Sequence, residues 1–139
     1  VQTWRRSYEV PPPALDLDDP RNPEFLAQYR DVVKNLLPLA ESLALTVDRV
    51  IPYYENVIRQ DLEAGKRVLI VAHGHSLRAL VKYLDHISDR DIAGLNIPTG
   101  LPLVYGLYKN LRAVSHRYLG DPAEARRRAE RVAAQGRAT

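Results

Sequence analysis

The stretch His73-Gly74-His75-Ser76 follows an apolar run and precedes a helical pattern, and its residue types allow three chemistries. Gly74 and Ser76 fit the first half of a Gly-x-Ser-x-Gly nucleophile elbow, but Arg78 stands where the second glycine belongs. A long cationic side chain there opposes the close strand-to-helix packing that the elbow needs. Asp85 or Asp91 and then His116 supply the chain order of a hydrolase triad, as almost any chain with acids and a histidine does. His73 and His75 offer two nitrogens to a metal, but no third ligand stands at motif spacing. The third chemistry is phosphate handling. It needs cations and donors around three oxygens: imidazolium from His73, amides from Gly74 to Ser76, and the guanidinium forks of Arg5 and Arg6. The plain alternatives are a core histidine bonded to a carbonyl and a solvated arginine pair. The place of His73, at a strand end before a glycine and a helix start, shifts the balance towards function.

Several elements have to position that turn. Arg67 to Ala72 is short, β-branched and continuously apolar, the pattern of a buried strand covered on both faces. Ser76 is placed to cap the helix that follows, with Leu77, Leu80, Val81 and Leu84 on its apolar face. Upstream, the first twenty residues read as loop around Pro11-Pro12-Pro13. Asn22-Pro23 then opens a helix running to Pro38 through Leu26, Tyr29, Val33 and Leu36. A longer helix spans about Glu41 to Glu63, kinked at Pro52 and stopped by Gly65; Ala40 stands where its cap is expected. Downstream, Ser88 caps a short turn. Leu103 to Leu107 and Ala113 to Tyr118 form a hairpin turning near Lys109-Asn110, and Pro122 opens a last basic helix ending near Gly136. The class is α/β. One buried strand cannot make a sheet, so the pattern asks for a further partner strand.

With 139 residues and 15.7 kDa, the chain has one domain's length. Its composition, 45% hydrophobic and 27% charged, is that of a globular protein. No apolar run is long enough to span a membrane, and no signal-peptide pattern opens the chain. The absence of cysteine excludes disulfides and thiolate metal sites and suits a cytoplasmic protein. The net charge of +3 favours anionic ligands, but the arginines from Arg126 to Arg137 read as a solvated tail rather than a nucleic-acid footprint. There is no methionine, and the chain opens on Val1-Gln2-Thr3-Trp4, so a segment upstream is expected.

The segments TWRRSYEVPPPAL, ESLALTVDRVIPYYENVI, GKRVLIVAHGHSLRALVKYLD, ISDRDIAGLNIPTGLPLVYGL, RYLGD and AAQGRA resemble the cofactor-dependent phosphoglycerate mutases of the histidine phosphatase superfamily. The resemblance runs over nearly the whole chain in order and is weakest from Asn22 to Leu37. It implies a single domain over 1–139, with loop over 1–21 and a basic tail over 120–139. This would be the C-terminal part of a three-layer α/β/α sandwich lacking the strand that bears the nucleophile.

The activity implied is interconversion of 3-phosphoglycerate and 2-phosphoglycerate through a phosphohistidine, primed by 2,3-bisphosphoglycerate, in glycolysis and gluconeogenesis. No metal, nucleic acid or membrane takes part, and the full-length family forms homo-oligomers in the cytoplasm. In the family the nucleophile lies in an Arg-His-Gly motif and the acid–base group is a glutamate. Neither position is matched, so the chain alone is expected to be inactive, its runner-up reading a non-catalytic anion-binding remnant. By the same resemblance His73 matches the second active-site histidine, which steadies the phosphoryl group. Arg5 and Arg6 match an arginine pair holding the substrate's anionic groups, and Gly74 and His75 a ligand-contacting pair. The chain departs from the family pattern in three places: His75 replaces asparagine, Ala40 replaces the threonine cap, and Gly106 replaces a glutamate and is expected to loosen the hairpin.

Overall fold

The computed structural model describes residues 2–135, with the side chains of Gln2 and Arg5 left aside. In chain order the elements are α1 (Gln2–Arg5), α2 (Leu43–Tyr53), a π-helical turn (Tyr54–Ile58), α3 (Arg59–Glu63), α4 (Gly74–Leu84), α5 (Asp89–Ile92), β1 (Leu103–Leu107), β2 (Ala113–Tyr118) and α6 (Pro122–Ala134). The architecture is mixed α/β: helices and a two-stranded antiparallel sheet.

The centre is a contact of α2, α4 and α5. Leu43, Ala79 and Ile92 are buried against one another, and Tyr8, Val47, Val50, Ile87 and Leu95 close around them. Ser42 caps α2, its hydroxyl accepting the Leu45 N–H at 3.2 Å. Such a cap is worth about 1 kcal/mol. Ala40 is therefore no defect, because the helix begins two residues later than its periodicity suggests. Pro52 has no N–H to give, and the helix answers with the wider π turn at Tyr54–Ile58 before α3 resumes. Gly65, at φ 75°, ends the segment as expected. Ser88 caps α5 through the Asp91 N–H at 3.1 Å.

The hairpin matches its expected bounds. Leu103 pairs with Tyr118 and Gly106 with Ser115, and a bulge follows before Leu107 meets Ala113. At Gly106 a Cβ would come within 3.3 Å of the Ser115 hydroxyl, so the glycine leaves room between the strands beside the bulge. The sheet is tied to the end of α4 by Asp85. Its Oδ2 accepts from the Tyr105 hydroxyl at 3.1 Å and lies 3.1 Å from Nδ1 of His116. Burial, then the Asp85 charge, push the Tyr105 phenol well above its ordinary range.

Three expectations fail. Residues 2–5 form a helical turn rather than loop. The helix expected over Asn22 to Leu37 is instead three 3₁₀ turns (Pro23–Phe25, Ala27–Tyr29 and Lys34–Leu36). Among the described residues much of its apolar stripe stays uncovered: Val33 is 64% exposed and Leu36 70%. Without that burial a short helix lacks its main source of stability. The Asn22 cap is nonetheless present, its side chain accepting the Glu24 N–H at 3.0 Å.

The strand expected over Arg67 to Ala72 is the largest departure. The segment forms no ladder and makes no backbone hydrogen bond among the described residues, and Leu69 and Val71 are 82% and 87% exposed. Its sequence suits a sheet interior, but a strand exists only beside another, and none of the described residues lies beside it. Together with α4, the π turn and β1 it walls an apolar groove of about 810 Å³.

Candidate functional site

His73 stands where the extended segment turns into α4. Its backbone is extended (φ −62°, ψ 149°), and it is itself the N-cap: Nδ1 accepts the His75 N–H at 3.3 Å. Ser76, expected to cap, lies inside the first turn. Histidine is absent from the usual cap preferences, so the sequence pointed to the hydroxyl instead. Accepting that N–H takes a lone pair on Nδ1, so the bonded form of the neutral ring carries its proton on Nε2. The ring is exposed, and it stacks on His75 with centroids 5.4 Å apart and planes within 6°. Backbone N–H groups of Gly74 and Ser76 donate to no acceptor among the described residues. The turn therefore presents an Nε2–H and two amides at the positive end of an 11-residue helix.

Beside it lies a pair that sequence reasoning missed. The Glu41 carboxylate is gripped by the Arg49 guanidinium, Nε to Oε1 and a terminal nitrogen to Oε2 at 2.9 Å. Arg49, Ala72, Ser76 and Leu77 share the wall of a hollow of about 290 Å³ below the turn. Acid and base stand eight residues apart across a helix start, a spacing with no motif signature. The Arg49 hydrogen bond holds the Glu41 carboxyl below its ordinary range, with the charges of Arg49 and His75 adding to it and burial opposing. A depressed folded-state value contributes stability that is present above the unfolded value of 4.5 and lost as pH falls through the folded one. Urea midpoints should therefore fall as pH drops from about 4.5 downwards, and Glu41→Gln should flatten that fall. An unchanged slope in the variant would show that the pair contributes nothing.

The predicted residues do not all meet. His73, Gly74 and His75 share one turn. Arg6 instead donates to the carbonyls of Ala93 at 3.3 Å and Ala133 at 3.4 Å, at the C-terminal ends of α5 and α6. Carbonyl groups at helix ends attract a guanidinium, and no sequence pattern foretells which ends will be near. The Arg5 side chain lies outside the described residues. The hydrolase triad is not assembled. Among the described residues Ser76 has no hydrogen-bonded histidine, and Asp85, which pairs with His116, stands nine residues on at the far end of α4, about 13 Å away. Among the described residues no group of three or more His, Cys, Asp or Glu could hold a metal. Nor, among them, is any helix long and apolar enough to cross a membrane.

The sequence profile of the histidine phosphatase superfamily (branch 1) matches residues 16–110. A 2,3-bisphosphoglycerate-dependent phosphoglycerate mutase of Nitratidesulfovibrio vulgaris (strain Hildenborough) is 56% identical over 137 residues, covering 99% of this chain and 55% of the relative. The enzyme of the same name from Lachnoclostridium phytofermentans is 52% identical over 139 residues, 100% of this chain and 56% of the relative. The chain thus spans about half the length of the curated relatives it matches.

Proposed function

The chain belongs to the histidine phosphatase superfamily, and from that membership we propose that it serves the interconversion of 3-phosphoglycerate and 2-phosphoglycerate. One observation at the site carries the reading beyond the relatives' names. With the proton on Nε2 and the His75 amide donating to Nδ1, the one unprotonated nitrogen of neutral His73 is already engaged and turned towards the helix start rather than towards a phosphorus. His73 is a donor. Such a donor suits the histidine that steadies a phosphoryl group in transfer rather than the one that carries it. The amides of Gly74 and Ser76 add two more donors around the same oxygens.

The three-carbon acid's anionic groups fall to Arg5 and Arg6. Arg6 makes only long bonds to its carbonyls, so exchanging them for a carboxylate or phosphate costs little. His75 flanks the ligand from the helix side. The donor set, an imidazole N–H and amides at a helix start, fits a polyanion, and the one nearby carboxylate, Glu41, is paired with Arg49. 2,3-bisphosphoglycerate, when bound, supplies the priming phosphoryl group. We place the reaction in the cytoplasm, within a homo-oligomer and without a metal.

An enolase-coupled assay of the full-length protein tests this. Turnover of 3-phosphoglycerate should rise with trace 2,3-bisphosphoglycerate and persist in chelator. Turnover indifferent to 2,3-bisphosphoglycerate, or abolished by chelator, would overturn it. The 139-residue chain by itself should bind 3-phosphoglycerate without turning it over, because its site histidine is a donor.

A further inference from the structure

From the contacts around His73 we infer that His75 is a positioning residue, setting both the plane and the tautomer of the His73 ring. The inference rests on the reading of His73 as the phosphoryl-group donor and adds what keeps that donor aimed. An exposed imidazole has a broad second side-chain torsion, so by itself the ring would turn freely and present either nitrogen. Two contacts remove those freedoms, and both come from residue 75. The amide of His75 points at Nδ1 from 3.3 Å and selects the nitrogen. The ring of His75 lies parallel to that of His73, 5.4 Å away and within 6°, and selects the plane.

The Glu41 carboxyl feels the charge on His75 and is itself oriented by Arg49, so this ion pair is part of the electrostatic surroundings of the two rings. The charged and titratable groups around His75 include His73 on its own turn, Glu41 just before α2 and Arg49 within it. An asparagine at this position would keep the amide but lose the stacking face. Orientation of His73 in this chain therefore depends on an aromatic ring at position 75.

The test reads the ring nitrogens directly. Long-range ¹⁵N–¹H spectra of the full-length protein, labelled in histidine, distinguish a bare from a protonated ring nitrogen in His73. His75→Pro deletes the amide donor at a first-turn position where proline is tolerated. His75→Ala keeps the amide and deletes the stack, and His75→Phe keeps both. The ratio of the Nε2–H to the Nδ1–H form should fall about five-fold in His75→Pro, the worth of one hydrogen bond. It should fall less in His75→Ala and hold in His75→Phe. A His73 signature identical in wild type, His75→Pro and His75→Ala would overturn the inference, and the folded spectrum of His75→Phe guards against misreading a collapsed variant. Added 3-phosphoglycerate separates the two claims. If it leaves His73 unmoved while the tautomer still follows the variants, the functional reading fails and the positioning role stands.

Discussion

Replacing His73 with alanine in the full-length protein should lower kcat/KM for 3-phosphoglycerate by about 10²- to 10³-fold, the usual effect of removing one donor from a developing oxyanion. The loss should appear in kcat more than in KM, because a donor aimed at the transferring group acts mainly in the transition state. His73 is exposed and has no share in the core of Leu43, Ala79 and Ile92, so its removal costs little packing. It does cost the cap on α4, about 1 kcal/mol. His73→Asn separates the two roles. Asparagine is a good N-cap and should restore the helix start while leaving kcat low. A kcat/KM within three-fold of wild type in both variants would remove His73 from the chemistry.

Ile92→Ala should be the most damaging single truncation in the described core, at about 3 kcal/mol. Ile92 is 0% exposed, and it is where α5 docks between Leu43 of α2 and Ala79 of α4. Its carbonyl also accepts the Arg78 guanidinium at 2.5 Å, so slack around the side chain loosens a buried hydrogen bond as well. A fall in the urea midpoint with an unchanged denaturant slope would report that loss. Leu17→Ala is the control, since Leu17 is 74% exposed and should move stability by no more than about 0.5 kcal/mol. Equal effects at the two positions would mean that the core lies elsewhere.

These cases show what a sequence carries and what it does not. Local chemistry was legible: the hairpin bounds, the Asn22-Pro23 and Ser88 caps and the Gly65 stop each depend on residues within a few positions of themselves. Whatever needed a distant partner was not. The stripe from Leu26 to Leu36 had helical spacing but, among the described residues, little surface to meet. Arg67 to Ala72 had strand composition but no neighbouring strand among the described residues. Half of the candidate site was visible, because His73, Gly74 and His75 are contiguous. The Glu41–Arg49 pair and the placing of Arg6 at two helix ends depend on how α2, α5 and α6 come together, which no short-range pattern records.

The unpaired stretch from Arg67 to Ala72 also bears on how the 139-residue chain behaves in a tube. Open amides and carbonyls beside Leu69 and Val71 form a template onto which another copy can add, so its solubility is a colloidal matter as well as a folding one. Lys66 and Arg67 at the mouth of that stretch, and the net charge of +3, act as gatekeepers that hold like copies apart. Salt weakens that protection: at 0.1 M the screening length is already about 10 Å. Turbidity of the isolated chain should therefore grow with both protein concentration and ionic strength, opposite to the salting-in common at low salt. A strand-forming peptide that occupies the open edge should suppress it.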